Sequence, residues 1–266
     1  ILDLDAAAPA AIPTSPRAAR YPLVGRHAEW HTLLGAWHAA DAGRSRLVLI
    51  RGEAGIGKSR LAEELADWCG LHHVSVVSAR CYPGEGRLAY APIATWLSAA
   101  ALQAPLRRLD PSLLGDVARL RPELAAGHPG VTAPESQLES WQRLRFFESL
   151  SQAFRSAAPL VLILDDVQWA DADTIDWLQY FLRSAPAARC LVVGTARAEE
   201  EQDNRPLGRM LGQRDHDDGL TVISLGRLDQ AATAELAGAV VEHPLDEAAL
   251  ARTFDETEGH PLFIVE

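Results

Sequence analysis

Short apolar runs alternate with longer amphipathic stretches along most of the chain. Five of the runs are rich in aliphatic or β-branched residues, which predicts buried strands. They lie at Arg46–Arg51, His73–Ala79, Leu160–Leu164, Cys190–Thr195 and Leu220–Ser224. This alternation predicts an α/β fold in which helices cover both faces of a mainly parallel sheet, a three-layer αβα core.

Apolar residues at helical spacing predict amphipathic helices between and after the strands. These helices are expected at Glu29–Ala40, Ser59–Trp68, Ala91–Leu102, Gln137–Ser156, Ala172–Ser184, Gln230–Val240 and Asp246–Thr257, with a last helix starting near Pro261. Several prolines between Leu102 and Gln137 predict short helices joined by turns. The polar segment Glu199–Asp218 separates the last two strands, and its acidic start is interpreted as a solvated loop.

The composition changes towards both ends of the chain. Residues 5–20 hold Ala, Pro, Ser and Thr with almost no large apolar side chain, which predicts a linker. Residues 1–21 are accordingly interpreted as a linker with the tail of a preceding domain, residues 22–226 as the α/β domain, and residues 227–266 as a truncated helical subdomain. Because the chain opens at Ile1 and stops within an apolar run, we expect it to be a piece of a longer protein.

The charge balance limits the partners of this stretch. Its 266 residues hold 25 basic and 36 acidic side chains, a formal net charge of −11. This stretch therefore lacks the positive field that nonspecific binding to nucleic acid or anionic lipid requires, and we expect any DNA contact to come from another domain. No apolar run approaches the ~20 residues of a membrane span and no signal peptide opens the chain, which predicts a cytoplasmic protein without membrane contact.

The segment after the first strand matches the phosphate-binding pattern GxxxxGK[ST]. It consists of Gly52, Glu53, Ala54, Gly55, Ile56, Gly57, Lys58 and Ser59, and it continues through Arg60 into the next predicted helix. Glycines let backbone N–H groups wrap phosphate oxygens at the positive end of a helix. Lys58 would neutralise the β and γ phosphates, and the Ser59 hydroxyl would hold Mg²⁺. The pattern therefore predicts a P-loop that binds ATP or ADP with Mg²⁺ through residues Gly52 to Arg60.

The third strand ends in two carboxylates, Asp165 and Asp166. A buried parallel strand delivers such residues to the carboxyl edge of the sheet, where phosphates also bind. Asp165 is predicted to join Ser59 at the Mg²⁺, and Asp166 to orient or deprotonate the attacking water. Without the P-loop upstream, the same two residues would be an ordinary boundary between a strand and a loop.

Arg197 follows the fourth strand and is expected at the same edge of the sheet. Its planar, permanently charged guanidinium could contact the γ-phosphate, and an ion pair with Glu199 or Glu200 is the alternative. The segment after Asp166 leaves two interpretations open. Trp169 to Asp171 could shape the water pocket, or Asp171 or Asp173 could cap the following helix.

Five segments, in this order, resemble the STAND class of signal-transduction ATPases, in particular the ATPase module of large bacterial LuxR-type and SARP-type transcriptional regulators. They are Leu23-Val24-Gly25-Arg26-His27-Ala28-Glu29, GEAGIGKSRL, LILDDVQWAD, GTAR and Gly259-His260-Pro261-Leu262-Phe263. The resemblance covers about residues 22–266 and implies a P-loop NTPase fold. Members of the class usually continue into a winged-helix domain and a sensor region, which this sequence does not include.

The resemblance implies roles that spacing alone does not assign. Val24, Gly25 and Arg26 would lie against adenine and ribose. Pro261 would pack on the base from the helical subdomain, and Arg197 would sense the γ-phosphate. From the sequence alone, the Gly-His-Pro segment is equally a helix stop followed by a proline start.

The predicted function is an ATP-binding switch that hydrolyses ATP slowly. In the full-length protein its nucleotide state would control conformation, self-association and thereby transcription. The first alternative is an AAA+ or origin-recognition-like ATPase that acts on DNA, which the net charge disfavours. The second is a small-molecule kinase, which would need an acceptor pocket. A binding module that does not hydrolyse is disfavoured because Lys58, Ser59, Asp165 and Asp166 are all present.

Overall fold

The computed structural model describes residues 21–84, 88–126, 140–200, 204–214, 219–241 and 245–266. The predicted linker at residues 5–20 lies outside this part of the chain. The described strands form one five-stranded sheet, and they are β1 (Arg46–Gly52), β2 (Ser75–Arg80), β3 (Leu160–Asp165), β4 (Cys190–Arg197) and β5 (Leu220–Ser224). Their order is β2-β3-β4-β1-β5 and every neighbouring pair is parallel. The predicted α/β fold with a parallel sheet is confirmed.

Helices precede, connect and follow the strands. They are α1 (His27–Asp41), α2 (Lys58–Leu71), α3 (Ala91–Leu97), α4 (Ala100–Leu106), α5 (Pro111–Val117), α6 (Ser140–Arg155), α7 (Ala172–Ser184), α8 (Arg205–Arg214), α9 (Gln230–Val241), α10 (Glu247–Thr257) and α11 (Pro261–Val265). Successive residues of β3 point to opposite faces, as strand geometry requires. Val161 and Ile163 pack with α1 and α2, whereas Leu160, Leu162 and Leu164 pack with α3 to α8.

Two helical predictions need correction. The single helix expected at Ala91–Leu102 is wrong, because the chain forms α3 and α4 with an extended residue, Ala99, between them. Two hydroxyls near this break bond to backbone carbonyls, Thr95 Oγ1 to Ala91 at 3.1 Å and Ser98 Oγ to Thr95 at 2.6 Å. Such local bonds compete with regular helix propagation, and the break lets α4 bury its own apolar residues.

The second correction concerns the polar segment between β4 and β5, which contains the unpredicted helix α8. Asn204 precedes this helix, and its side-chain oxygen accepts a hydrogen bond from the backbone N–H of Leu207 at 3.0 Å. Leu207, Met210 and Leu211 are buried, at the spacing of one helical face. A capping residue followed by apolar residues at helical spacing is a sequence signal that could have predicted α8. Residues 201–203 of the expected acidic loop lie outside the described residues.

The last three helices, α9 to α11, share a small apolar cluster apart from the two sheet faces. Its buried members include Leu236 of α9, Ile264 of α11 and Leu228. Val24, from the segment before α1, belongs to the same cluster. The backbone N–H of Leu228 also donates to the carbonyl of Gly259 at 2.8 Å. The division of the chain into two domains near residue 226 stays a prediction.

No helix among the described residues is long and apolar enough to cross a membrane.

Candidate functional site

The P-loop joins β1 to α2 at the carboxyl edge of the sheet, as predicted. Gly55, in the middle of the loop, has φ +75°, a left-handed conformation that favours glycine. A Cβ at this position would lie 2.9 Å from His260 Cε1 and 2.8 Å from Leu262 Cβ. The loop is therefore closely packed against the segment that begins α11.

Lys58, the first residue of α2, is buried and folds back over the loop. Its Nζ donates to the carbonyl oxygens of Gly52 at 3.0 Å and Glu53 at 2.8 Å. Burial lowers the pKa of Lys58, although Asp166 and other nearby carboxylates act in the opposite direction. The ammonium group is thus partly desolvated beside the positive end of α2, which favours an anionic ligand.

Ser59 and Asp165 meet at the end of β3, as the sequence predicts. The Ser59 hydroxyl donates to Asp165 Oδ1 at 2.7 Å, and the Thr195 hydroxyl donates to the same oxygen at 2.5 Å. Thr195 Oγ1 in turn accepts from the backbone N–H of Asp166 at 2.9 Å. These bonds fix the end of β3 against β4 and present hydroxyl and carboxylate oxygens beside the P-loop.

Asp166 is buried and its backbone is in the left-handed region, at φ 57°. Its Oδ2 accepts from Arg80 Nη2 at 2.8 Å and Nε at 3.1 Å, and its Oδ1 accepts from Gln168 Nε2 at 3.2 Å. The hydrogen bond to Asp166 raises the pKa of Arg80. In this conformation both carboxylate oxygens already have protein donors.

Arg197 lies at the same edge, since it pairs in register with Gly52 of β1. Its Nη1 donates to Glu200 at 2.9 Å, and its guanidinium lies 4.9 Å from the centre of the Trp169 ring. Burial lowers the pKa of Lys58, and the positive charge of Arg197 acts in the same direction. The structure thus shows the ion pair with a surface acid, beside the P-loop.

A cavity of about 300 Å³ opens next to the P-loop. It is lined by Val24 and Arg26 before α1, by Gly57 and Arg60, and by Pro261 and Leu262 of α11. Segments that the resemblance assigns to the adenosine side of a nucleotide therefore meet around one space. Gly25 lies at the bend between Val24 and Arg26, against Ala232 of α9.

Arg26 is buried beneath this cavity. Its Nη2 donates to the carbonyl oxygens of Gly226 at 2.6 Å and Ile56 at 3.3 Å, and its Nη1 lies 3.5 Å from Glu29. Burial lowers the pKa of Arg26, and the neighbouring Glu29 opposes that shift. Arg26 thus ties the P-loop to the segment that follows β5.

His260 makes a second tie to the P-loop, and sequence reasoning gave it no role. It is 5% exposed, and its Nε2 donates to the carbonyl oxygen of Ala54 at 2.9 Å in the tautomer that carries the proton there. Lys58, Arg26 and His260 together bond to the carbonyl oxygens of four P-loop residues, Gly52, Glu53, Ala54 and Ile56.

Sequence reasoning also missed Arg80, Gln168 and Thr195, which surround the two Asp residues. Arg80 pairs in register with Asp165 because β2 and β3 are neighbours. The available signal was a polar residue near the end of each of two strands, Arg80 in β2 and Thr195 in β4. Only the strand order shows that both residues lie beside the two Asp residues at the end of β3. Asp171 has the capping role left open by the sequence, since it accepts from the Thr174 N–H at 2.8 Å.

A second cavity, of about 500 Å³, is lined in part by Ser59 and Asp165. It lies between α2, β2 and α3, and its lining includes Arg80, Tyr82 and Thr95. The end of β3 therefore contributes to this second cavity, whereas the first cavity is lined by the P-loop and α11.

Comparisons with known proteins agree with this fold. A family model described as an AAA ATPase domain matches residues 22–193. A protein of Rhizobium meliloti (strain 1021), described as uncharacterized, is 28% identical over 194 residues, which are 66% of this chain and 18% of that protein. The crystal structure of a STAND protein with a tetratricopeptide repeat sensor from Pyrococcus horikoshii matches with a TM-score of 0.56 and 18% identity, over 97% of this chain and 31% of that one. AMPPCP-bound DnaA from Aquifex aeolicus matches with a TM-score of 0.50 and 14% identity, over 93% and 63%.

The chain thus spans less than a third of the Rhizobium protein and of the Pyrococcus protein. At these identities the structural matches show a common fold. The family model covers more than half of the 266 residues, and it includes the P-loop, Asp165 and Asp166. The chain belongs to the AAA ATPase domain family.

Proposed function

We propose that this chain is an ATP-binding module that hydrolyses ATP slowly and serves as a signal-transduction switch. The observation that carries this proposal is the cavity of about 300 Å³ whose walls come from both the P-loop and α11. A nucleotide in that cavity would contact the α/β core and the C-terminal helices together. Its presence would then favour one arrangement of the two, which is the requirement for a switch.

The phosphates would bind at the N-terminus of α2. Lys58 already donates to two backbone carbonyl oxygens there and would exchange them for phosphate oxygens. Ser59 and Asp165 fit a magnesium ion, since their oxygens lie 2.7 Å apart and oxygen ligands are those that Mg²⁺ prefers. These two residues would hold the ion, which would supply neutralisation of phosphate charge when bound.

Asp166 would orient the attacking water and accept its proton. In the described conformation its carboxylate instead accepts from Arg80 and Gln168. The carboxylate must give up or share one of these donors before it can bind a water. That requirement supports slow turnover, and Arg197 would have to leave Glu200 before it could contact a γ-phosphate.

The wider role is proposed from the resemblance to STAND ATPases. The matched Pyrococcus protein is described as a STAND protein with a repeat sensor, and this chain spans 31% of it. We propose that the chain acts in the cytoplasm within a larger transcriptional regulator of the LuxR or SARP type. Self-association would depend on the bound nucleotide, and another domain would contact DNA, in line with the net charge of −11 here.

Calorimetric titration and phosphate release test this function. The wild-type chain, Lys58→Ala and Asp166→Asn are titrated with ATP and ADP, each with and without Mg²⁺. We expect the wild type to bind both nucleotides, Lys58→Ala to bind neither measurably, and Asp166→Asn to bind ATP without turnover. Equal affinity in the wild type and Lys58→Ala would overturn the assignment of the P-loop.

The second cavity favours one other candidate, a small-molecule kinase. Its volume of about 500 Å³ lies within the usual range for small-ligand pockets, and it touches Ser59 and Asp165. The basic residue in its lining, Arg80, is paired with Asp166. A kinase would consume ATP only with an acceptor present, so release of free phosphate from ATP alone separates the two functions.

A further inference from the structure

The two side chains that donate to the Asp166 carboxylate differ in burial. Gln168 Nε2 donates to Oδ1 at 3.2 Å, and Arg80 donates to Oδ2 at 2.8 and 3.1 Å. Gln168 is only 5% exposed, whereas the side chain of Arg80 is 53% exposed. Water can replace an exposed guanidinium at small cost, but loss of a buried hydrogen bond leaves a polar group unsatisfied. The bonds from Arg80 are therefore easier to give up than the bond from Gln168.

The amide of Gln168 makes a second hydrogen bond that fixes its direction. Its Oε1 accepts from the backbone N–H of Arg197, the last residue of β4, at 3.3 Å. A carboxylate accepts hydrogen bonds and a backbone N–H only donates, so one orientation of the amide satisfies both neighbours. The reverse orientation would place oxygen against oxygen at Asp166 and N–H against N–H at Arg197. Gln168 thus joins Asp166 to the end of β4.

The backbone of Gln168 is held as well. Its carbonyl oxygen accepts from Asn204 Nδ2 at 3.1 Å, and the same nitrogen donates to the carbonyl oxygen of Ala170 at 3.0 Å. Asn204 is itself fixed, since its side-chain oxygen accepts from the N–H of Leu207 in α8. Both the main chain and the amide of Gln168 are anchored, so the side chain meets Asp166 from one position.

We propose that Gln168 is a positioning residue for hydrolysis. Its amide keeps Oδ1 of Asp166 in place, so that Oδ2 points at the attacking water once Arg80 has left. This inference rests on the proposed hydrolysis of ATP and on Asp166 as the group that receives the proton of the water. A misplacement of about 1 Å can cost about 10²-fold in rate. Because Gln168 acts through Asp166, its loss lowers the rate of hydrolysis and leaves the affinity for ATP unchanged.

The test separates the two ends of the amide. Gln168→Met removes both hydrogen bonds. Gln168→Glu keeps an oxygen that accepts from the Arg197 N–H but places another oxygen against Asp166. Single-turnover phosphate release gives the rate of hydrolysis, and calorimetry gives the Kd for ATP with Mg²⁺. We expect both variants to hydrolyse ATP about tenfold or more slowly than the wild type, and the Kd of Gln168→Met to stay within about twofold.

Gln103→Met is the matched control, because it makes the same change in a half-buried glutamine of α4 whose Nε2 donates to the carbonyl oxygen of Leu97 at 3.2 Å. It should keep the wild-type rate and Kd. Thermal melting of each variant checks folding. Gln168→Asn, which carries the amide on a side chain one methylene shorter, serves if Gln168→Met does not fold, and it should also lower the rate.

Three results would overturn the inference. The first is a wild-type rate in folded Gln168→Met. The second is a wild-type rate in Gln168→Glu beside a low rate in Gln168→Met, which would assign Gln168 to the fold at the end of β4. The third is a loss of ATP affinity in Gln168→Met as large as the loss of rate. Folded wild-type protein that binds no ATP, or releases no phosphate from it, would instead show that the proposed function has failed, and the inference would fall with it.

Discussion

His260 Nε2 lies 2.9 Å from the carbonyl oxygen of Ala54, so a side chain that precedes α11 holds the backbone of the P-loop. The His260 ring also packs on Phe263, with their centres 4.6 Å apart. Leu262, between these two residues, lies against Gly55 and lines the cavity of about 300 Å³ beside the P-loop. The position of α11 and the shape of the P-loop therefore depend on each other.

Replacement of His260 should uncouple the position of α11 from the shape of the P-loop. His260→Phe keeps an aromatic ring and removes the hydrogen bond to Ala54. We expect the free energy of unfolding to fall by about 0.5–1.5 kcal/mol, the usual net value of one such bond, and the Kd for ATP to rise severalfold. Chemical denaturation and calorimetry measure the two effects. His72→Phe, at the exposed end of α2, is the control, and an equal effect of both variants would refute the coupling.

Removal of Arg80 should speed hydrolysis. Two hydrogen bonds from Arg80 already occupy Oδ2 of Asp166, and Arg80→Ala frees that oxygen to accept from a water. We expect the steady-state rate of phosphate release to rise severalfold while the Kd for ATP stays within about twofold. Arg121→Ala, which removes an exposed ion pair with Glu123, should leave the rate unchanged. A lower rate in Arg80→Ala would mean that Arg80 positions Asp166 for the reaction.

Gly259 should be intolerant of any side chain. Its φ is +73°, and a Cβ would lie 2.0 Å from the carbonyl oxygen of Leu228. We expect Gly259→Ala to reduce the free energy of unfolding by about 2 kcal/mol or more, from backbone strain and steric overlap. Gly238→Ala, in α9, is the matched control, because its Cβ would meet open space and alanine favours a helix by about 0.5–1 kcal/mol. Equal destabilisation by both substitutions would refute the steric argument.

The buried thiols should report opening of the core. Cys69 and Cys190 are free and buried, and burial raises the pKa of each to about 12. At pH 8 only roughly one part in ten thousand of each would be thiolate, the reactive form. We expect mass spectrometry to find neither residue alkylated by iodoacetamide in the native chain and both alkylated in denaturant. Rapid labelling of either thiol in the native protein would contradict its position in the core.

Strands with a clear hydrophobic pattern and sites with a known motif were predictable from the sequence. Strands β1 and β3 were placed within one residue of their ends, because short, uninterrupted aliphatic runs with clear boundaries have few other structures. The P-loop and the carboxylate pair after β3 follow from local sequence in the same way. Parallel pairing then brings Ser59 to Asp165.

The remaining contacts of the site depend on strand order, which local sequence does not contain. Arg80 meets Asp166 only because β2 lies next to β3, and Thr195 meets Asp165 only because β4 lies on the other side of β3. The bond from His260 to Ala54 depends on how α11 docks, a tertiary contact across more than 200 residues. These are the parts of the candidate site that only the folded chain reveals.

Hydrogen exchange tests most directly whether one nucleotide bridges the P-loop and the C-terminal helices. Exchange is measured for residues 53–60 and 259–265 in the wild type and in Lys58→Ala, with and without saturating ADP. We expect ADP to slow exchange about tenfold or more in both segments of the wild type, because the ligand would hold the two together, and in neither segment of Lys58→Ala. Protection of residues 53–60 alone, with residues 259–265 exchanging at their ligand-free rate, would contradict the bridged site.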